Sequence, residues 1–210
     1  MSGLINKYDL FIFDWDGTIV QIRILNKLNE IFNPLWRRKK RNAIITPAKL
    51  KSIEQNELKN EQHLKFFLDL FTYLIHAPLQ ESSIDMLHVL LKNKKNATVF
   101  TNGAEWRIKR EIVALGAQKF FKDTISAQTI GKLKPNPTGL SYIINKSKTK
   151  KSRCLYIGDM ADDILTAKNA GIDSCAISAG FDSYEVLLSE KPTYIFRNMR
   201  EFKNALSRYP

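Results

Sequence analysis

The chain has 210 residues and a formal net charge of +12, with 33 Lys and Arg residues against 21 Asp and Glu residues. Hydrophobic residues make up 44% of it, so the chain can bury a sizeable core and can hold one domain with an insertion. No apolar stretch approaches the roughly 20 residues of a membrane helix and the segment 1–8 is polar, so we expect a cytoplasmic protein without a signal peptide or a membrane helix.

The first predicted element is a strand over 10–13, whose four consecutive apolar residues are typical of a strand buried on both faces of a parallel sheet. Asp14 and Asp16 follow it, and Gly17 then allows a tight turn. Side chains two positions apart in an extended chain share a side, so both carboxylates can face one reacting atom. Because two buried carboxylates without partners are costly, the pair predicts a bound cation and a phosphoryl group.

The segment 19–79 interrupts the chain with a helical pattern and shows no strand pattern. Its apolar residues fall at positions 22, 25, 28, 31 and 32, and again at 64, 67, 68, 71, 74 and 75. We predict that this segment forms a small all-helical domain, inserted into a core domain made of residues 1–18 and 80–210. A basic run, 37–41, lies inside the insertion.

The rest of the chain alternates between strand and helix patterns. Strands are predicted at 97–101, 124–127, 154–157 and 174–177, with a short extension at 194–196. A helix packed on the sheet is predicted from Trp106, Ile112, Val113 and Leu115. Gly116 is placed to end this helix, and Gly171 to end the helix after the fourth strand. The alternation predicts an α/β fold with a doubly wound, parallel, Rossmann-like sheet and right-handed crossovers.

Polar blocks follow three of these later strands. The block 101–103 offers a hydroxyl and backbone amides beside a glycine, which can cradle phosphate oxygens. Lys134 stands next to a rigid proline. Asp159 and Asp163 are four positions apart, so both can lie on one face at the start of a helix. Each block therefore carries phosphate or cation chemistry.

All four blocks fall at the carboxyl ends of predicted parallel strands, where open α/β sheets bind their ligands. One block alone is a weak signal, but four in order are a strong one. With the blocks 14–18, 101–103, 134–137 and 158–163, and with the segment 179–181, the chain resembles the haloacid dehalogenase (HAD) superfamily, in its phosphoglycolate-phosphatase-like branch. The resemblance implies a Rossmann-like core with a small helical cap inserted after the first strand.

The resemblance assigns catalytic roles residue by residue. Asp14 would be the nucleophile that attacks phosphorus to give an aspartyl-phosphate. Asp16 would protonate the leaving oxygen and then take a proton from the attacking water. Mg²⁺ would be the cofactor, held by the Asp14 carboxylate, the Asp16 backbone carbonyl and Asp159, with Asp163 bound directly or through water.

The resemblance also implies a set of phosphate contacts. Thr101 and Lys134 would stabilise charge on the equatorial oxygens as it shifts in the transition state. The backbone amides of Trp15, Asn102 and Gly103 would help to bind the phosphate. The Trp15 side chain is predicted to pack between the core and the cap.

These residues together predict a Mg²⁺-dependent phosphatase that acts on a small phosphorylated metabolite, phosphoglycolate-like by resemblance. The presence of Asp16 favours phosphoryl transfer over dehalogenation. Two alternatives stay open: a phosphotransferase or phosphomutase that uses the same aspartyl-phosphate, and a phosphatase directed at nucleotides or nucleic acids through its basic surface. The sequence names neither the substrate nor the oligomeric state.

Basic residues cluster in the run 37–41 and again at 146–153. We favour solvated faces over nucleic-acid binding for both clusters, because blocks of like charge are often solvated segments. Neither cluster shows a recognised binding module or an alternation of aromatic and basic residues.

Overall fold

The structure is a computed structural model, and it describes residues 3–21 and 77–207. The predicted insertion, 19–79, lies outside the described residues except at its two ends, and the basic run 37–41 lies outside them entirely. Among the helices of the described ranges, none has both the length and the apolar character that crossing a membrane requires.

A six-stranded sheet forms the centre of the described α/β core. Its strands are β1 (Leu10–Phe13), β2 (Asn96–Thr101), β3 (Phe121–Ser126), β4 (Cys154–Gly158), β5 (Asp173–Ile177) and β6 (Tyr194–Phe196). Their order is β3-β2-β1-β4-β5-β6, and all neighbouring pairs are parallel. The predicted doubly wound parallel sheet is confirmed, although β3 begins at Phe121 rather than at 124.

Helices cover both faces of the sheet. The described α-helices are α1 (Leu4–Lys7), α2 (Ser83–Lys92), α3 (Glu105–Ala114), α4 (Ala127–Ile130), α5 (Thr138–Ser147), α6 (Ala161–Ala170), α7 (Tyr184–Ser189) and α8 (Met199–Ser207), and two short 3-10 helices lie at Gln118–Phe120 and Lys151–Arg153. Successive side chains of β1 point to opposite faces. Phe11 and Phe13 therefore pack with α2, α3 and α8, whereas Leu10 and Ile12 pack with α5 and α6.

Helix α3 buries a different face from the predicted one. Ile108 and Ile112, one helical turn apart, lie in the core. Trp106 is 49% exposed and Val113 is 59% exposed, so the prediction that these two side chains pack on the sheet is wrong. The predicted end of the helix is confirmed, since Gly116 follows it in the left-handed region with φ +63°.

The two ends of the predicted insertion meet at the α/β core. Ile19, Val20 and Ala77 are buried there. Val20 pairs with Leu79 in a short antiparallel bridge. The two ends of the predicted insertion are therefore adjacent in the described structure.

Candidate active site

The polar blocks meet at the carboxyl edge of the sheet, because β1 lies between β2 and β4. Asp14 directly follows β1, and its backbone amide donates a hydrogen bond to the Ile157 carbonyl of β4 at 2.8 Å. The Asn102 side chain, which follows β2, accepts a hydrogen bond from the Lys134 amide at 3.1 Å. The first bond joins parts of the chain that are more than 100 residues apart in sequence, and the second joins the blocks that follow β2 and β3.

Lys134 lies at the centre of this site. Its Nζ donates to Asp14 Oδ1 at 2.6 Å and to Asp163 Oδ1 at 2.8 Å. The three side chains are only 4%, 8% and 3% exposed. Burial by itself would lower the pKa of Lys134, but the two carboxylates more than reverse this effect and raise the pKa above its ordinary value. The lysine is therefore a fixed positive charge.

Asp14, Asp159 and Asp163 form a buried carboxylate cluster, in which each residue offers an oxygen within 4.8 Å of the others. Burial raises the pKa of Asp14 to about 7, against the opposing charge of Lys134. Burial and the charge of Asp14 also raise the pKa of Asp159 well above its ordinary value. Clustered oxygen donors of this kind fit a hard divalent cation such as Mg²⁺, whose charge would offset the repulsion.

The backbone supplies a further oxygen beside the carboxylate cluster. Among the residues that the structure describes, none donates a hydrogen bond to the Asp16 carbonyl. A carbonyl oxygen without a hydrogen-bond donor can serve as a metal ligand. The predicted ligand set, from Asp14, Asp16, Asp159 and Asp163, is thus chemically consistent with Mg²⁺.

Asp159 is oriented by two donors from other parts of the chain. The Thr18 hydroxyl donates to Asp159 Oδ1 at 2.7 Å, and the Phe181 amide donates to Oδ2 at 2.7 Å. Gly17 leaves the room that this carboxylate needs, because a Cβ there would lie 2.2 Å from Asp159 Oδ2. Its φ of +85° also favours glycine. The first block therefore helps to build the candidate metal site through its glycine and threonine as well as its aspartates.

Asp163 has both carboxylate oxygens engaged. Oδ1 accepts from Lys134 and from the Tyr156 hydroxyl at 2.9 Å. Oδ2 accepts from the amides of Asp159 at 3.2 Å and Met160 at 3.0 Å. Two donors on each oxygen fill the acceptor sites of a carboxylate. A direct bond from Asp163 to a cation would therefore displace one of these donors.

The predicted phosphate-binding groups lie beside the carboxylate cluster, and they differ in whether they already form hydrogen bonds within the protein. Thr101 is buried, and its hydroxyl accepts the Gly103 amide at 3.0 Å, so this amide is already engaged. The amides of Trp15 and Asn102 donate to no other residue in the described part of the chain. Two of the three predicted amides are thus available to an anionic ligand.

Asp16 has a partner that the sequence prediction missed. Arg107 of α3 donates from Nη1 to Asp16 Oδ1 at 3.1 Å and from Nη2 to Oδ2 at 2.5 Å. Arg107 also donates to Glu111 Oε1 at 3.1 Å, and the Trp15 indole donates to Glu111 Oε2 at 2.6 Å. The Trp15 ring is fully buried, and its described contacts belong to the α/β core. In the sequence, Arg107 and Glu111 have the spacing of an ordinary helical ion pair.

The fold is a parallel α/β sheet, and a buried lysine and three carboxylates lie at its carboxyl edge. This arrangement is typical of an α/β enzyme with a candidate divalent-metal site. A family model described as haloacid dehalogenase-like hydrolase matches residues 11–177. The chain belongs to this family, as the four sequence blocks predicted.

Similar proteins agree with this placement. Phosphoglycolate phosphatase 1 of Pseudomonas aeruginosa is 24% identical over 211 residues, which cover 91% of this chain and 77% of that protein. The phosphoglycolate phosphatase of Vibrio parahaemolyticus is 33% identical over 86 residues, which cover 41% of this chain but only 38% of that protein. The crystal structure of Bacillus subtilis YfnB, bound to magnesium, has a TM-score of 0.66 at 20% identity and covers 96% of this chain and 99% of that one, which shows the shared fold.

Proposed function

We propose that the protein is a Mg²⁺-dependent phosphatase, which hydrolyses a small phosphate monoester through an aspartyl-phosphate on Asp14. The observation that carries this proposal is the setting of the Asp14 carboxylate. It accepts a hydrogen bond from the buried ammonium of Lys134, and one of its oxygens lies within 4.8 Å of an oxygen of Asp159 and an oxygen of Asp163. A carboxylate that attacks a phosphate dianion needs such neighbouring positive charge, since the two anions otherwise repel each other.

The metal ligands follow from the available oxygens. Asp14, the Asp16 carbonyl and Asp159 would hold Mg²⁺ directly. Asp163 would bind directly or through water, and either contact would displace one of the four donors that its oxygens now accept. When bound, Mg²⁺ would neutralise charge on the phosphoryl oxygens during transfer.

The chemistry divides between two carboxylates. An oxygen of Asp14 forms a bond to phosphorus while the bond from phosphorus to the ester oxygen breaks. Asp16 gives its proton to that leaving oxygen. A water molecule then attacks phosphorus, Asp16 takes a proton from it, and the bond to Asp14 breaks to release inorganic phosphate.

The remaining residues bind and stabilise the phosphoryl group. The Lys134 ammonium and the Thr101 hydroxyl would contact its equatorial oxygens, where negative charge shifts in the transition state. The amides of Trp15 and Asn102, which donate to no described residue, would bind these oxygens in the ground state too. Gly103 would contribute only after its amide leaves the Thr101 hydroxyl.

The relatives support a substrate of the phosphoglycolate type, since those named above are phosphoglycolate phosphatases. The Bacillus neighbour, which was determined with magnesium, supports the choice of metal. Family resemblance also supports a core of residues 1–18 and 80–210 with a helical cap at 19–79, and a cytoplasmic location.

A screen of phosphate esters with and without Mg²⁺ tests this proposal. The screen includes 2-phosphoglycolate, sugar phosphates, nucleoside monophosphates and a 5′-phosphorylated oligonucleotide, and it measures inorganic phosphate. We expect release from a small ester with Mg²⁺, loss of release with EDTA, and recovery when excess Mg²⁺ is added. An absence of phosphate release from every ester would overturn the proposal.

Product analysis in the same screen separates the phosphotransferase alternative. A phosphatase leaves the phosphoryl group as inorganic phosphate in water. A phosphoryl group found on a second hydroxyl, of the same or another molecule, would show that the protein is a phosphotransferase or phosphomutase and not a phosphatase. The phosphoryl group would still pass through Asp14.

A further inference from the structure

Arg107 forms hydrogen bonds with Asp16, the side chain that the proposed reaction uses for proton transfer. Its two terminal nitrogens each donate to a different oxygen of Asp16, at 3.1 Å and 2.5 Å. The two side chains are only 11% and 19% exposed, so water screens this pair less than it screens a surface pair. A planar guanidinium that meets both oxygens of a carboxylate fixes its orientation as well as its position.

Arg107 is itself held from behind. The buried Glu111 carboxylate accepts from Arg107 Nη1 at 3.1 Å and 3.2 Å, and it also accepts the Trp15 indole at 2.6 Å. Trp15 directly precedes Asp16 in the chain. The four residues therefore form a closed ring, in which the backbone of the first block and helix α3 fix each other.

The guanidinium also lies against the second block. A Cβ at Gly103 would be 2.4 Å from Arg107 Nη2 and 3.3 Å from the Thr101 hydroxyl. Glycine at this position thus leaves the room in which Arg107 reaches Asp16 beside the proposed phosphate contacts. This placement puts the pair at the reacting end of the site, although Arg107 belongs to none of the four blocks.

We propose that Arg107 is a positioning residue, which orients the Asp16 carboxyl group for proton transfer to the leaving oxygen, with Glu111 and Trp15 holding the arginine in place. This inference rests on the proposed phosphatase function. Proton transfer requires the donor and the leaving oxygen to approach within hydrogen-bond distance, and small misplacements are costly in rate. Each Asp16 oxygen keeps a lone pair while it accepts from Arg107, so a proton carried on that lone pair can be donated to the leaving oxygen.

Arg107→Lys tests this role, because it keeps the positive charge and removes the two-point contact. The test compares kcat/KM for an alkyl phosphate that the wild type hydrolyses with kcat/KM for 4-nitrophenyl phosphate. The nitrophenolate group leaves without a proton, so only the alkyl ester needs a well-placed acid. We expect about a 100-fold loss for the alkyl ester and less than about a 5-fold loss for the aryl ester.

Two further variants complete the experiment. Glu111→Gln should lower kcat/KM for the alkyl ester in the same selective way but by less, because Arg107 still reaches Asp16. Lys109→Gln is the matched control on the same helix; its side chain is 58% exposed and pairs with Glu105, so neither ester should be affected. Thermal unfolding of each variant shows whether the fold is kept.

The outcomes distinguish the two proposals. An equal loss of kcat/KM for both esters, or no loss for either, would overturn the role of Arg107 while leaving the phosphatase function in place. A wild-type chain that hydrolyses neither ester would overturn the phosphatase function, and the role of Arg107 with it. A selective loss for the alkyl ester in Arg107→Lys, with normal rates in the lysine control, would support both.

Discussion

The two ends of the sheet treat charged side chains in opposite ways. At the carboxyl end, Asp14 and Asp163 both accept hydrogen bonds from Lys134, and the three side chains are 8%, 3% and 4% exposed. At the amino end, Asp9 accepts hydrogen bonds from Arg153 at 2.7 Å and 2.8 Å, yet these side chains are 46% and 39% exposed. A buried ionic cluster has a large desolvation cost and is weak support for stability, whereas an exposed pair has little cost and little effect. The contrast favours the carboxyl end of the sheet as the location of the active site.

The pKa directions show the same contrast. Burial raises the pKa of Asp14 to about 7 even though Lys134 opposes the shift. Hydrogen bonding from Arg153 lowers the pKa of Asp9 to about 2. Desolvation therefore dominates at one end of the sheet, and ordinary ion pairing dominates at the other.

The largest effect is expected when the cation of the buried cluster, Lys134, is replaced. Lys134→Met leaves Asp14 and Asp163 buried without their shared donor, so we expect a loss of about 3 kcal/mol in the free energy of unfolding without added metal. Phosphatase activity should fall by at least about 1,000-fold, because the charge that faces the phosphoryl oxygens is gone. Urea unfolding and phosphate release measure the two effects.

Lys146→Met is the matched control for that change. Lys146, in the last turn of α5, is 54% exposed and pairs with Asp123 of β3. Its unfolding midpoint and its activity should both stay close to those of the wild type. Equal effects of the two lysine substitutions would contradict the contrast between the two ends.

The smallest expected effect concerns the exposed pair at the amino end. Asp9 has a folded-state pKa of about 2, below its unfolded value of about 3.9, so its pairing stabilises the fold above about pH 4 and this contribution is lost as pH falls through 2. Because solvent screens the pair, Asp9→Asn should cost less than about 1 kcal/mol at pH 7. Urea unfolding at pH 7 and at lower pH should show the difference from wild type shrinking with acid. A constant difference would contradict this assignment.

The sequence predicted the sheet and the carboxylate cluster for a common physical reason. Short apolar runs such as 10–13 are recognisable as buried strands, and parallel strands bring the residues after their carboxyl ends together. Asp14, Lys134, Asp159 and Asp163 could therefore be expected in one place before any contact was known. The carboxylate cluster was predictable because its residues follow strands.

Other features depend on contacts that the sequence pattern does not contain. Arg107 and Glu111 lie on a helix four positions apart, which is typical of a solvated ion pair, and only the structure shows the contact with Asp16. The start of β3 was missed because Lys122 and Asp123 are polar, and edge strands commonly carry polar residues. Trp106 has a largely apolar side chain, which favoured burial in the prediction, but it lies on the exposed face of α3.

Some of the basic side chains in the cluster at 146–153 form ion pairs that the sequence did not indicate. Lys146 pairs with Asp123, and Arg153 pairs with Asp9. Part of this charge is therefore balanced locally, in agreement with a solvated face. The run 37–41 lies outside the described residues, and its role stays a prediction.

The most direct test of the central claim is to trap the phosphorylated protein during turnover. An ester labelled on its phosphoryl group is mixed with the protein and Mg²⁺, the reaction is quenched with acid, and the labelled peptide is identified by mass spectrometry. We predict that the label resides on Asp14 and that Asp14→Asn forms neither the labelled peptide nor free phosphate. Label on a different residue, or phosphate release by Asp14→Asn at the wild-type rate, would contradict the account.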